Sequence, residues 1–409
     1  MDYDILICGA GAVGASLAAA LASAATPWRI GIIEARPRTA ATNTDTAAGS
    51  FDDRGLALSP GSRQILADSD VWPTLTTVAN PIKQIHVSHR GHFGCVRLAA
   101  AAAGLPALGY VVPARALGAA LFARLDAAAI DWHCPATVTA VNQTATQVTV
   151  NIETAGASGS NTQQLTTRLL IGADGSQSQL RDLLNIATRS KDYGQTAIVS
   201  SVATASAHTD TAYERFTDSG PLALLPRRDG RSVVVCCLPT EQAAAAMRQS
   251  DSDFLQLLQQ RFGQRLGRFS EPAARQSYPI RLVQAQEQCR GRVLLLGNAV
   301  HTVHPNAAQG FNLGLHDASA LAALLSSHAQ TADQDPGSAA LLSAYLAERE
   351  PVQRRVVQFT DWLAWWFYQP HTLLAPARTA GMLAIDKLPA VKQRFIRRLS
   401  GLGGQQWPA

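Results

Sequence analysis

The chain has 409 residues, of which 47% are hydrophobic, and a formal net charge of +5. This length exceeds what a single hydrophobic core usually supports, so we expect one main domain and one smaller domain. The charge is only mildly basic, and aromatic residues are not interleaved with clusters of lysine and arginine. We therefore expect no nucleic-acid partner.

The cysteines and the N-terminus indicate a cytoplasmic protein. The six cysteines form no C-x-x-C and no metal-ligand spacing, which favours reduced packing residues and no metal site. Asp2 and Asp4 stand where a signal peptide carries lysine or arginine, and glycines interrupt the apolar stretch that follows. No apolar run reaches the roughly 18 to 20 residues of a membrane-spanning helix.

The first 50 residues predict a βαβ unit. Residues 3–8 are almost wholly apolar and predict a buried strand, residues 13–25 form an Ala-rich helical segment, and residues 28–33 predict a second strand. Residues 39–50 are small and polar and predict a solvated loop.

The rest of the chain predicts a second sheet and a helical end. Residues 82–98 alternate around Gly91 as a β-hairpin, and its sheet partners should come from the β-rich residues 196–238. This combination predicts a second domain built on an antiparallel sheet. Helices are expected over residues 60–68, 117–129, 253–262 and beyond 313, and strands over 137–154, 163–175 and 292–297.

The first motif is glycine-rich. Residues 9–14 fit G-x-G-x-x-G after a strand and at the start of a helix, and Glu34 ends the second strand. Gly9 allows a sharp turn, Gly11 lets the backbone approach a pyrophosphate, and Gly14 lets helix and strand pack closely. Glu34 can accept hydrogen bonds from both ribose hydroxyls of an adenosine. NAD and FAD share this motif, and a small-residue helix packed on a sheet is the alternative.

Two more glycine-bearing turns accompany this motif. They are GADGSQSQLR, residues 172–181, and GNAVHTVHPNAAQGFNLGLHDA, residues 297–318. In this order and spacing the three resemble the signatures of the aromatic-ring flavoprotein hydroxylases. The stretches FDDRGLALSPGSRQIL, IKQIHVSHRGHFGCVRL and SGPLALLP are similar to the ubiquinone-biosynthesis branch, most of all to its 2-octaprenyl-6-methoxyphenol hydroxylase group. The resemblance covers residues 1 to about 350.

The resemblance implies an α/β fold with a Rossmann-like FAD-binding domain, an inserted antiparallel-sheet substrate domain and a C-terminal helical segment. The FAD-binding domain would comprise residues 1–80, 99–185 and 281–335. The substrate domain would comprise a hairpin at 81–98 and residues 186–280, and the C-terminal helices would span 336–409.

The resemblance also implies FAD as cofactor and NADH or NADPH as reductant. Asn298, where the family usually has Asp, would hold a ribityl hydroxyl, and backbone at residues 310–312 would face N1 and O2 of the flavin. Ala308 replaces the usual glycine and costs about 1 kcal/mol if that site needs a positive φ. The cofactor-binding residues implied are Gly9, Gly11, Gly14, Glu34, Arg54, Arg115, Asp174, Asn298, Gly310, Phe311 and Asn312.

The implied reaction is hydroxylation of a prenylated phenol in ubiquinone biosynthesis by O₂, through a flavin C4a-hydroperoxide. Pro305 would flank the ring, and His301 and His304 are candidates for assisting phenol deprotonation. Structural loop histidines are the alternative. Tyr193, Tyr213 and Arg215 are candidate pocket residues, with core packing as the alternative.

The C-terminal residues 359–399 combine three tryptophans with a basic amphipathic segment. Such a combination suits a bilayer interface, so we expect peripheral contact with the inner face of the membrane, from which a prenylated substrate is reached. A helix packed on the flavin domain or an oligomer contact is the alternative. Other ubiquinone-biosynthesis proteins are candidate partners.

Two other functions stay open at this point. One is a nicotinamide-dependent dehydrogenase that holds NAD at the glycine-rich motif. The other is a non-catalytic FAD-binding scaffold of a quinone-biosynthesis assembly, suggested by Asn298 and Ala308.

Overall fold

The computed structural model describes residues 1–24, 26–38, 54–128, 130–156, 159–330, 334–368 and 374–401. The loop expected over residues 39–50 lies outside them. The strands are β1 (Tyr3–Cys8), β2 (Ile30–Ile33), β3 (Gly55–Leu58), β4 (Asn80–Ile82), β5 (Gln84–His89), β6 (Cys95–Ala99), β7 (Gly109–Pro113), β8 (Ile130–His133), β9 (Ala136–Gln143), β10 (Val148–Gly156), β11 (Gly159–Gly172), β12 (Thr188–Thr204), β13 (Thr211–Thr217), β14 (Gly220–Pro226), β15 (Ser232–Pro239), β16 (Phe269–Ser270), β17 (Gln276–Ala285), β18 (Cys289–Arg290), β19 (Val293–Leu295) and β20 (His301–Thr302).

The helices frame these strands and fill the end of the chain. They are α1 (Ala12–Ser23), α2 (Pro60–Asp68), α3 (Trp72–Leu75), α4 (Ala114–Asp126), α5 (Gln179–Leu183), α6 (Thr240–Arg248), α7 (Asp251–Phe262), α8 (Gln309–His328), α9 (Ala339–Tyr368), α10 (Leu374–Lys387) and α11 (Pro389–Leu399). The helical end expected beyond residue 313 is confirmed in the described part of the chain.

The first sheet is the expected Rossmann-like sheet. Its parallel strands follow the order β19-β11-β1-β2-β8, with β18, β9 and β10 added by antiparallel pairing. Ile5, Ile7 and Ile32 are fully buried, as a parallel sheet covered on both faces requires. Leu17 of α1, Leu121 of α4 and other apolar side chains of α1, α4 and α8 form one core with this sheet.

The second sheet is antiparallel as expected, except that β5 pairs with β13 in parallel. Its strands follow the order β20-β17-β12-β15-β14-β13-β5-β6, and β16 adds to β12. The hairpin β5–β6 turns near Gly91 and joins β13, so its partner does come from the middle of the chain. The edge strand β20 belongs to the third motif and pairs with β17. The sheet therefore draws strands from both sides of the domain boundary that we predicted at residue 280.

The two faces of the second sheet have different neighbours. Leu222, Val234 and Ile198 pack against α7, where Phe254 and Leu258 are fully buried. The opposite face, which we call the inner face, includes Val233 and contacts Val111 of the small sheet β3-β7-β4.

The C-terminal helices close one side of the inner face. Phe367 of α9 stacks on Phe216 of β13, with ring centroids 3.6 Å apart. Met382 of α10 and Ile396 of α11 pack with Val96 of β6. Across the residues that the structure describes, no helix has the length and apolarity to cross a bilayer.

Candidate functional site

The first glycine motif and the D-G turn are in direct contact. Gly9 has φ +100°, and a Cβ added there would lie 2.6 Å from the carbonyl oxygen of Ala173. A Cβ on Gly14 would lie 2.0 Å from the carbonyl oxygen of Gly9. No heavy atom outside the local chain lies within 4 Å of a Cβ placed on Gly11, among the residues described. Glycine thus lets two turns touch while the backbone at Gly11 stays open to a ligand.

Glu34 lies beside the glycine-rich turn, at the end of β2. Its carboxylate accepts hydrogen bonds from the backbone N–H of Ala10 at 2.7 Å and of Arg36 at 2.9 Å. The residue is 8% exposed. The structure therefore holds this carboxylate beside the glycine-rich turn, with both oxygens ordered by backbone donors.

Asp174 has one satisfied and one unsatisfied oxygen. Its Oδ2 accepts from the N–H of Leu180 at 3.0 Å, which fixes the side chain at the start of α5. Its Oδ1 is buried, and no described group hydrogen-bonds to it. Because buried polar atoms nearly always have partners, this oxygen is suited to a donor on a ligand.

The third motif contacts the helix that follows the first glycine motif, at Val13 of α1. A Cβ on Gly297 would lie 3.1 Å from the Val13 side chain, and a Cβ on Gly314 would lie 2.8 Å from it. Val13 is therefore inserted between the two ends of the third motif. Asn298 follows Gly297 in a 3-10 turn and its side chain is exposed.

The start of α8 presents backbone donors. Ala308 precedes the helix with φ 51° and ψ 37°, so this site does have the positive φ at which alanine is costly. No side chain caps the helix, so the N–H groups of its first turn, including those of Gly310 and Phe311, have no partner within the helix. The positive end of a 20-residue helix therefore lies here.

The side chain of Asn312 anchors this helix start. Its amide nitrogen donates to the carbonyl oxygens of Ala57 at 3.0 Å and Ala308 at 2.7 Å. Its oxygen accepts from the N–H of Ser59 at 2.8 Å and the hydroxyl of Ser62 at 2.6 Å. Because these four bonds use its full capacity, only the backbone of Asn312 can serve a ligand.

Two arginines lie near the small sheet. The guanidinium of Arg54 lies 5.3 Å from the ring centroid of Tyr278, an inner-face residue of β17. The carbonyl oxygen of Arg54 accepts from the N–H of Ala114 at 2.9 Å, so the neighbouring Arg115, at the start of α4, lies beside it. Both arginines are half-buried.

FAD fits this arrangement by three observations. The backbone at Gly11 is open, Asp174 keeps an unsatisfied buried oxygen, and the first turn of α8 has no side-chain cap. A pyrophosphate and a ring that becomes negatively charged on reduction both suit helix N-termini. The three turns thus contact one another through Gly9, Ala173 and Val13, and the role of each expected cofactor residue stays a prediction.

The contacts of His301 favour the structural alternative. Its Nε2 lies 3.3 Å from Oδ2 of Asp317, a fully buried carboxylate. Arg349 and Gln353 of α9 donate to the same carboxylate at 2.7 and 3.0 Å. His301 is therefore part of a buried network that joins the third motif to α9.

His304 is fully buried and its Nδ1 accepts from the N–H of Asn306 at 3.2 Å. Its ring packs edge-on against Tyr193, with centroids 4.8 Å apart. Burial lowers the pKa of His304 to about 4, which makes it a weak base at neutral pH. Pro305, the next residue, is exposed.

The candidate pocket residues of the second sheet separate onto two faces. Tyr193 donates to Asp361 of α9 at 2.7 Å and contacts His304, so it lies on the inner side. Tyr213 and Arg215 instead line a cavity of about 210 Å³ with Phe262 of α7. Those two side chains therefore face away from the three turns.

Sequence reasoning missed two features, the network around Asp317 and the carboxylate of Glu214. Arg349 and Gln353 are four residues apart, a spacing that places both on one helix face and offers the only signal in the sequence. Glu214 offered no such signal, because the alternation along its strand does not say which of the two faces is the inner one.

Comparisons with known proteins identify the family of this chain. Residues 2–360 match the family described as FAD binding domain. The chain is 33% identical to the ubiquinone hydroxylase UbiL of Rhodospirillum rubrum over 399 residues, which cover 97% of this chain and 89% of that protein. It is 27% identical to the 3-demethoxyubiquinol 3-hydroxylase of Escherichia coli, with 98% of both chains covered.

Solved structures agree on the fold. The p-nitrophenol 4-monooxygenase PnpA of Pseudomonas putida superposes with a TM-score of 0.78 at 17% identity, with 99% of both chains covered. FAD is therefore the cofactor of this chain, and NADH or NADPH is the reductant that the family uses. The chain belongs to the FAD-binding aromatic-ring hydroxylases, in the branch that contains the ubiquinone hydroxylases.

Proposed function

We propose that this protein is an FAD-dependent monooxygenase that uses NAD(P)H and O₂ to hydroxylate a prenylated phenol in ubiquinone biosynthesis. Relatives that are named as ubiquinone or demethoxyubiquinol hydroxylases align over nearly the whole chain. The observation that carries the proposal is the convergence of the Gly9 turn, the Asp174 turn and the third motif, next to the inner face of the large second sheet. FAD supplies the oxygen-activating chemistry when it is bound.

The chain's own residues bind, orient and exclude water. Gly11, Glu34 and Asp174 are suited to the adenosine and pyrophosphate half of FAD, and Asn298 and the first turn of α8 to the ribityl and ring half. The uncapped helix start stabilises negative charge on the ring. The buried Phe216, Cys237 and Val233 on the inner face keep water from the space beside it.

Both candidate histidines are engaged within the protein. His301 is held by Asp317, and burial keeps the pKa of His304 at about 4. We propose that both histidines are structural, and that Pro305 shapes the loop beside the ring. The electron-rich phenol then needs orientation more than deprotonation by these groups.

We also propose that the C-terminal helices bind an anionic bilayer peripherally. Trp362 and Trp365 of α9 are 50% and 46% exposed, and Phe93 at the tip of the β5–β6 hairpin is 82% exposed. The adjacent α11 ends with Arg397 and Arg398 in its last turn. Exposed aromatics beside cations suit a headgroup layer. Flotation of the holoenzyme with phosphatidylglycerol vesicles but not with phosphatidylcholine vesicles is expected; absence from both would contradict this.

The decisive test of the reaction combines product and cofactor. Purified holoenzyme is given NADH or NADPH, O₂ and a short-chain prenylphenol, and the products are analysed by mass spectrometry with ¹⁸O₂. Incorporation of one labelled oxygen into the phenol is expected. A yellow protein that yields only hydrogen peroxide would favour the scaffold, and a colourless protein that reduces NAD would favour the dehydrogenase.

A further inference from the structure

One row of side chains crosses the inner face of the second sheet from strand to strand. Strand pairing aligns its members laterally: they are Val87 of β5, Glu214 of β13, Ala223 of β14, Val235 of β15, Val199 of β12 and Gln276 of β17. All six are half-buried. Glu214 is the one ionisable residue among them.

The rows on both sides of this one are buried next to Glu214 and Val235, although Ile85 and Leu225 further along one of them are half-buried. On one side Val233 and Ala212 are 2% and 5% exposed, and on the other Phe216 and Cys237 are 3% and 1% exposed. A row in the middle of a sheet keeps accessible surface between two buried rows only if a space lies above it. We call this space the inner slot.

The walls of the inner slot come from different parts of the fold. The small sheet forms one wall, since a Cβ on Gly55 would lie 2.5 Å from Cγ2 of Val233. The end of α9 forms the other wall, where Phe367 stacks on Phe216. Arg54, which contacts Tyr278 on the same face, connects the inner slot to the three turns.

Glu214 has no partner in this slot. No hydrogen bond or ion pair to its carboxyl occurs among the described residues, although the carboxyl lies deep enough that desolvation raises its pKa to about 7. An ionisable group retained in an apolar slot without a partner is costly to the fold, and such groups are concentrated at binding sites.

We propose that the carboxyl of Glu214 accepts a hydrogen bond from the hydroxyl of the phenolic substrate in the inner slot and so orients its ring. This inference rests on the proposed function, because it assumes a phenol as substrate. The apolar members of the row, Val87, Ala223, Val235 and Val199, contact the ring and its apolar substituent. A hydrogen bond to a carboxylate is stronger than one to a neutral acceptor, so it discriminates a phenol from its methyl ether.

The test uses oxidised holoenzyme, and binding is followed by the change in flavin absorbance. The ligands are a short-chain prenylphenol and the same compound with a methoxy group in place of the hydroxyl. Wild-type protein is expected to bind the phenol about 10-fold more tightly than the ether. Glu214→Leu should bring this ratio to about 1, and Glu214→Gln should give an intermediate ratio. Glu241→Gln, on the exposed first turn of α6, should leave it unchanged.

A pH series adds a readout that a packing role would not affect. The phenol affinity of wild-type protein should rise as the pH increases through about 7, because the carboxylate is the better acceptor, and Glu214→Gln should abolish this rise. Cys237 and Tyr368 are the described titratable groups that interact electrostatically with Glu214, and His89 and Tyr278 lie on the same face of the sheet. Burial raises the pKa of Cys237 and Tyr368 and lowers that of His89 to about 4, so none of these three titrates near pH 7.

The outcomes separate the two proposals. If Glu214→Leu keeps the wild-type preference for the phenol, or if wild-type protein shows none, the inference about Glu214 is overturned. If the preference depends on Glu214 but no labelled product forms with the prenylphenol, the proposed reaction fails while the binding role stands. Flavin content and the urea midpoint of each variant show that the fold is intact.

Discussion

Val13 and Gly314 touch: a Cβ on Gly314 would lie 2.8 Å from Cγ2 of Val13. This contact joins the helix that follows the first glycine motif to the helix that follows the third. The spacing between α1 and α8 is thus set by the absence of one methyl group.

Gly314→Ala should therefore destabilise the protein. The added methyl group would push α1 and α8 apart, and such overpacking costs about 1 to 3 kcal/mol. Urea unfolding measures the loss, and titration with FAD should show weaker binding because both helix starts shift. Gly381→Ala is the control, since its Cβ would meet no atom within 4 Å and α10 should become slightly more stable. Equal stability of Gly314→Ala and wild type would contradict the contact.

Ala308→Gly should stabilise the protein slightly. The left-handed backbone at Ala308, with φ 51°, costs a non-glycine residue about 1 to 2 kcal/mol, while glycine adds roughly 0.5 to 1 kcal/mol of unfolded-state entropy. The net gain should be about 0.5 kcal/mol or a little more. Ala320→Gly, inside α8, should instead lose about 1 kcal/mol. Similar losses in the two variants would show that residue 308 is not strained.

Arg349→Met should be strongly destabilising. It removes the cation that pairs with the fully buried Asp317 at 2.7 Å, and breaking a buried ion pair from one side costs about 3 to 5 kcal/mol. Chemical unfolding measures this cost. Arg354→Met, at an exposed position of the same helix, should change stability by less than about 0.5 kcal/mol. A small effect at Arg349 would show that the network does not hold α9 in place.

His304 should make the fold sensitive to acid. Its pKa is about 4 in the folded protein and about 6.5 when unfolded, so the unfolded state takes up the proton first as the pH falls. Stability is full above pH 6.5 and falls between 6.5 and about 4, by about 3 kcal/mol for this residue. His304→Gln should lose that contribution. The difference in unfolding free energy between wild type and variant, measured from pH 7 to 4, should change by this amount, and a constant difference would refute the assignment.

Much of the fold could be predicted because its strands and helices have clear hydrophobic patterns and capping residues. The strand over residues 3–8 and the helix over residues 60–68 match the structure, and the latter begins at Pro60 after the capping Ser59. Boundaries were less certain where no cap marks them. The second strand begins at Ile30 and not at residue 28, because Trp28 is part of the core and its indole nitrogen donates to Leu325 of α8.

The sequence predicted the candidate site only where a tight backbone turn requires glycine. Glycines at 9 and 14 reflect close approaches that the G-x-G-x-x-G turn requires, whereas the contact of Gly314 with Val13 appeared only in the structure. Glu214 and Asp317 depend on long-range packing, since their neighbours lie on strands and helices far along the chain. A period of two places Tyr213 and Arg215 on one face and Glu214 on the other, and the choice of face follows from tertiary packing alone.

The short strand β20 gives the flavin loop a mechanical role. His301 and Thr302 pair with Gln284 and Val283 of β17, so the loop beside the ring is also the edge of the sheet that carries the inner slot. If β17 moved when a ligand entered, the backbone pairing between β17 and β20 would move the loop with it. The loop that carries Pro305 is therefore tied by backbone pairing to the same strand that contributes Gln276 to the inner slot.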